Sequence, residues 1–65
     1  MYKNFRKRLD ELGISPYRVS KGASVSYGTL SDWKLGKTTP KTKTLIRIAD
    51  FLHMSLDELV REDGD

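Results

Sequence analysis

An all-α fold of five short helices is the architecture that this 65-residue sequence predicts. Three observations carry that reading. Apolar residues recur at steps of three and four along nearly the whole chain, and no four-residue stretch alternates as a half-buried strand would. Helix start and stop signals punctuate the sequence at short intervals. There is no Cys, so stability has to come from packing rather than from a disulfide or a thiolate-bound metal.

The first helix is expected over Tyr2 to Leu12, where Tyr2, Phe5, Leu9 and Leu12 fall on one face. Gly13 supplies the left-handed residue that closes it, and Ile14 folds back onto its last turn. Ser15-Pro16 is a helix start: Ser caps, and Pro at the first position lacks an N–H that would have no helical partner anyway. The second helix runs from Pro16 to about Gly22, with Val19 and then Ala23 facing inward. After the turn Ala23-Ser24-Val25, Ser26 opens a third helix through Thr29, Leu30 and Trp33 to Leu35, with Gly36 just past its end. Lys37-Thr38-Thr39-Pro40-Lys41 is a polar loop, because Pro40 disfavours helix at the residue before it. From about Thr42 to His53, Leu45, Ile48, Ala49 and Leu52 line a fourth helix. Ser55 and Glu58 then form a capping box for a short fifth helix carrying Leu56, Leu59 and Val60, and residues 62–65 are expected to fray as an acidic tail.

Length allows one domain over residues 1–65 and no second. At 32% charged and 37% apolar, the chain is neither disordered nor membrane-like. No apolar run is long enough to span a bilayer or to form a signal-peptide core, so a cytoplasmic protein without a membrane partner is expected. Charge is unevenly spread. Residues 1–48 hold 11 Lys/Arg against three acids, whereas residues 49–65 hold one Arg against six. A basic body with an acidic tail suggests a polyanionic partner for the first part; an ordinary solvated surface is the alternative.

The informative segment is the helix-turn-helix unit over residues 16–35. Val19, Ala23, Val25, Leu30 and Trp33 fall where its two helices must touch. In such a unit the second helix enters the major groove N-terminal end first, while the first lies across the backbone. Any helical hairpin needs this spacing, so spacing alone does not assign it. Further stretches sharpen the reading. Leu12-Gly13-Ile14-Ser15, Val25-Ser26-Tyr27-Gly28-Thr29-Leu30-Ser31-Asp32-Trp33-Lys34, Gly36-Lys37-Thr38-Thr39-Pro40, Leu45-Ile46-Arg47-Ile48-Ala49-Asp50-Phe51-Leu52 and Ser55-Leu56-Asp57-Glu58-Leu59 stand in one ungapped frame. Through them the chain, from Leu12 to Leu59, resembles the phage-repressor-like (Cro/XRE) helix-turn-helix domain. The resemblance implies a lambda-repressor-like five-helix fold of phage or mobile-element type. It also implies sequence-specific binding of double-stranded DNA by a transcriptional regulator, most simply a repressor acting as a homodimer on a near-palindromic operator.

By the same resemblance, the base-reading positions fall on Ser26, Tyr27, Gly28, Thr29 and Asp32. Tyr27 offers a ring to a thymine methyl or sugar and a hydroxyl to a base edge or phosphate, while Gly28 only permits close backbone approach. Thr29 can donate, accept or present its methyl. Asp32 has two readings: holding Arg18 or another basic side chain in place, or acting at a base, by accepting from cytosine N4 or by negative selection. Phosphate contact is expected where helix N-termini aim free N–H groups outward, at Ser15 with the backbone of Tyr17 and at Ser26 with the backbone of Gly28. The loop after the third helix adds Lys34, Lys37, Thr38, Thr39, Lys41 and Lys43, which in the family's manner would clamp the backbone.

Two departures from the family pattern stand out. Where the family often has a Gln that bridges phosphate and base, this chain has Pro16, with neither a side-chain donor nor an N–H, so Ser15 must serve alone. Ser24 stands where Gly usually makes the left-handed turn, at a cost of up to about 1 kcal/mol that a helix end shifted to Gly22 could relieve. Phe51, Met54, Leu56, Leu59 and Val60 look generous for one small core and are the expected dimer interface. His53 has no ligand partner and reads as exposed surface, and Trp33 reads as core. Lys3, Arg6, Lys7 and Arg8 form either a DNA-attracting stripe or a solvated face.

No catalytic grouping, metal site, cofactor loop or small-molecule site is evident, so an enzyme is not expected. The rival to DNA binding is a protein-interaction module on the same fold, such as an antitoxin-like or anti-regulator partner. A chain of this length has no room for a separate sensing domain, which leaves a complete small regulator of Cro type or the N-terminal domain of a larger repressor.

Overall fold

A computed structural model describes residues 1–62 and contains only helices among them: α1 Tyr2–Leu12, α2 Pro16–Gly22, α3 Tyr27–Lys34, α4 Thr42–Phe51 and α5 Leu56–Val60. The all-α expectation and the element order hold. Residues 63–65, most of the tail expected to fray, lie outside the described residues, while Glu62 accepts a hydrogen bond from the Met1 ammonium at 2.7 Å.

The helix starts follow from the local sequence. Ser15 Oγ accepts from the Arg18 N–H and Ser26 Oγ from the Thr29 N–H, each at 3.4 Å. The capping box of α5 is closed on both sides: Glu58 N–H donates to Ser55 Oγ at 3.0 Å, and Ser55 N–H donates to Glu58 Oε1 at 2.8 Å. The helix ends are less uniform. Gly13 (φ 69°) and Gly36 (φ 75°) turn left-handed as glycine does freely, but Ser24 (φ 57°) and His53 (φ 55°) do so with a side chain attached. Gly22 therefore gives Ser24 no relief, contrary to expectation. His53 also stops α4 at Phe51, two residues before the expected end, with Met54 N–H donating back to the Ala49 carbonyl.

One core gathers residues from all five helices: Phe5, Leu9, Val19, Ala23, Val25, Leu30, Trp33, Leu45, Ile48, Ala49, Leu52 and Leu59. Trp33 belongs to it at 5% exposure, in a cluster with Tyr2 (centroids 5.3 Å apart, edge-on) and Phe5 (5.0 Å) that fastens the C-terminal half of α3 to α1. Leu12 departs from the expected apolar face: it sits on the last turn of α1, beyond the core, and is 41% exposed.

The glycine at 22 has a packing reason instead. A Cβ there would fall 2.8 Å from Phe51 Cδ1 and closer still to Cε1 and Cζ, so the ring of α4 lies directly on the backbone of α2. Phe51, Met54, Leu56 and Val60 are half-buried against the core, and Leu59 is wholly inside it. Leu59, counted above in a dimer interface, has no surface left to offer a second subunit.

Helix α1 also supplies polar clamps that local sequence could not reveal. Arg8 Nε donates to the Leu52 carbonyl at 2.8 Å and Nη2 to that of His53 at 3.4 Å, capping the end of α4 with a cation. Asn4 Nδ2 does the same for α5, donating to the carbonyls of Leu59 (3.1 Å) and Arg61 (2.7 Å). Since Arg6 pairs with Asp10 at 3.2 Å and Arg8 is engaged, the basic stripe of α1 is reduced to Lys3 and Lys7 as unpaired cations among the described residues.

Candidate nucleic-acid interface

The turn between α2 and α3 is held from both directions. Val25 N–H donates to the Ser20 carbonyl at 3.0 Å, and Ser20 Oγ donates to the Val25 carbonyl at 2.6 Å. With Ala23 and Val25 buried on either side, the left-handed Ser24 is pinned in the turn and the angle between the helices is fixed. Ser20 was not singled out from the sequence. Its only signal was the need to satisfy a tight turn that lacks glycine.

Opposite ends of α3 meet different surroundings. Its later residues Leu30 and Trp33 are buried, whereas Ser26, Tyr27 and Gly28 at its start are exposed, Tyr27 to 54%. Thr29 is half-buried, and its N–H is the one that Ser26 caps. The N–H groups of Tyr27 and Gly28 come earlier and make no backbone hydrogen bond among the described residues. A Cβ on Gly28 would meet nothing closer than Ser26 Oγ at 3.4 Å, so the backbone there is open to close approach. Ser15 caps α2 in the same fashion, and the N–H of Tyr17, a residue 59% exposed, is left over. The rings of Tyr17 and Tyr27 lie 6.5 Å apart, which brings these two helix starts side by side.

Beyond α3, Lys34, Lys37, Thr38, Thr39, Lys41 and Lys43 are all exposed, while Pro40 is buried and anchors the loop between them. Lys41 is the N-cap of α4 and offers no side-chain acceptor, leaving the N–H groups of Thr42, Lys43 and Thr44 without a backbone partner. Sequence reading passed over this uncapped helix start; its signal was a Lys where Ser, Thr, Asp or Asn is preferred. The first turns of α2, α3 and α4 contain no acid, whereas that of α5 contains Asp57 and Glu58. The first turn of α1 contains none either, so the first four helices have no acid at their positive ends, and lysines stand beside that of α4.

Asp32 makes no ion pair among the described residues, with Arg18 or with another basic side chain, so the first of its two readings finds no partner; its backbone carbonyl accepts from the Lys37 N–H at 2.9 Å. Among the described residues no group of three His, Cys, Asp or Glu side chains could hold a metal ion, and no helix is long and apolar enough to cross a membrane.

Two helices locked across a tight turn, the second with its amide end exposed and its Leu30 and Trp33 buried, form a helix-turn-helix unit. Comparison with known families agrees: the chain matches the helix-turn-helix family HTH_3 over residues 5–59 and belongs to it. This is the Cro/C1-type, XRE family, with a lambda-repressor-like fold; it is non-enzymatic and implies binding to DNA, typically in transcription regulation. No curated protein and no solved structure matches the chain.

Proposed function

We propose that the chain is a sequence-specific repressor that binds a near-palindromic operator as a homodimer. The observation that carries this reading is the exposed amide end of α3, where Tyr27 and Gly28 have open N–H groups and no acid lies in the first turn. Placed in the major groove, this end brings Ser26, Tyr27, Gly28, Thr29 and Asp32 to base edges. Ser15, the backbone of Tyr17 and the residues Lys34, Lys37, Thr38, Thr39, Lys41 and Lys43 then hold phosphates, which position without reading. An unpaired Asp32 fits the base-contacting role better than the structural one, since its carboxylate is free to accept from cytosine.

The dimer draws on Met54, Leu56 and Val60, each half-buried, with Phe51 at its margin; recognition helices of the pair must lie about 34 Å apart. Sedimentation that finds only monomer at high concentration, with and without DNA, removes the dimer from the proposal. DNA binding is tested by titrating a promoter-sized duplex at several salt concentrations. Neutralising about five phosphates per subunit gives a log–log slope near −4.5 per subunit. A flat response would overturn the reading in favour of a protein partner.

A further inference from the structure

Tyr17 and Tyr27 are more than half exposed, yet their rings are paired, with centroids 6.5 Å apart and planes 58° apart. Lys21, one turn after Tyr17 on α2, sets its ammonium 5.5 Å from the Tyr17 ring centroid. The row Lys21, Tyr17, Tyr27 therefore crosses from α2 to the first residue of α3 over the outer surface of the turn.

Tyr27 is the first residue of α3, so no preceding turn of that helix bounds its rotamers. Among the described residues, Tyr17 is its one aromatic neighbour. A solvent-exposed tyrosine without such a neighbour samples several orientations, and a ring that must present one edge to one base step loses discrimination in proportion.

We propose that Tyr17 is a positioning residue: its ring holds the Tyr27 ring in a single orientation at the tip of α3 and so sets sequence preference at the step Tyr27 meets. Lys21 holds Tyr17 in turn. This assigns the side chain of Tyr17 a role separate from that of its backbone N–H, and it rests on the DNA-binding reading above. The pairing acts on preference between duplexes, not on overall charge attraction, because neither ring carries charge.

The test uses the full chain and two duplexes of equal length and composition, one selected from a random pool by the wild-type protein and one scrambled. Circular dichroism checks that each variant is folded. Tyr17→Ala is expected to lower the affinity ratio between the duplexes about threefold to tenfold, the worth of such an aromatic pair, with the selected duplex losing more than the scrambled one. Tyr17→Phe keeps the ring and the ratio. In a Tyr27→Ala background, Tyr17→Ala should change the ratio no further. Equal weakening of both duplexes by Tyr17→Ala, or multiplicative losses in the double variant, would overturn the proposal. A wild-type protein that binds neither duplex would overturn the DNA-binding reading itself, a result distinct from either of these.

Discussion

Gly22→Ala places a methyl group where the Phe51 ring already lies. In a helix, alanine is ordinarily the better residue by up to about 1 kcal/mol, so propensity alone forecasts a more stable protein. The packing forecasts the opposite. The added Cβ would fall 2.8 Å from Cδ1 and nearer still to two further ring atoms. One flexible tip could swing aside, but three atoms of a rigid plane must move together, and this ring is packed against the core. Overpacking of that kind costs about 1–3 kcal/mol. Contacts this short at three ring atoms put the cost in the upper part of that range, about 2–3 kcal/mol, so against the propensity gain the net loss is about 1–2 kcal/mol, or roughly 5–15 °C in Tm for a domain of this size. Thermal unfolding followed by circular dichroism reads the shift directly. The decisive comparison is the same substitution in a Phe51→Ala background, where the ring atoms are gone and Gly22→Ala should become neutral or stabilising. A Gly22→Ala protein as stable as wild type, or equally destabilised in both backgrounds, would refute the reasoning.

Three further predictions are independent of that one. Ser24→Gly should raise stability by up to about 1 kcal/mol, since Ser24 holds φ 57° at a cost glycine does not have; an unchanged or lowered Tm would contradict it. The Glu58 carboxyl is held below its ordinary pKa by the N–H and then the hydroxyl of Ser55. Its contribution is therefore present above the unfolded-state pKa and lost as pH falls through the lower folded-state one, so Glu58→Gln should flatten the acid limb of the stability curve by lowering neutral-pH stability towards its acid value. Lys37→Ala and Lys41→Ala should weaken all duplexes about equally and reduce the salt slope by about 0.9 each, whereas Thr29→Ala should relax preference by roughly 1–3 kcal/mol. The reverse pattern would place the groove-facing helix elsewhere.

What could be read from the sequence was whatever its neighbours within four or five residues decide. Ser15, Ser26 and Ser55 cap the helices that follow them because a cap closes on an amide three residues on. The left-handed Ser24 was legible only through the family resemblance, which puts a glycine at that position. Interactions between distant segments were not. Gly22 looked like a spare helix terminator, and only Phe51, 29 positions later, explains it. Arg8 read as part of a DNA-attracting stripe or a solvated face and Asn4 gave no local signal, yet they cap carbonyls 44 and 55 positions away. Leu59 looked available to a partner because its spacing shows a face and not what covers it. In the candidate interface, exposure of the start of α3 followed from its polar residues, but the Ser20 lock and the Tyr17–Tyr27 pair needed the crossing geometry of two helices.

The central claim is that the amide end of α3 enters DNA and the lysine loop after it grips phosphates. Backbone amide NMR shifts, recorded while a promoter-sized duplex is titrated into the protein, test it most directly. The largest changes should fall on Tyr17, on Tyr27 and Gly28, and on Lys37 to Thr44, with α5 little affected. Changes centred on Lys3 and Lys7 of α1 instead, with Tyr27 and Gly28 still, would contradict it.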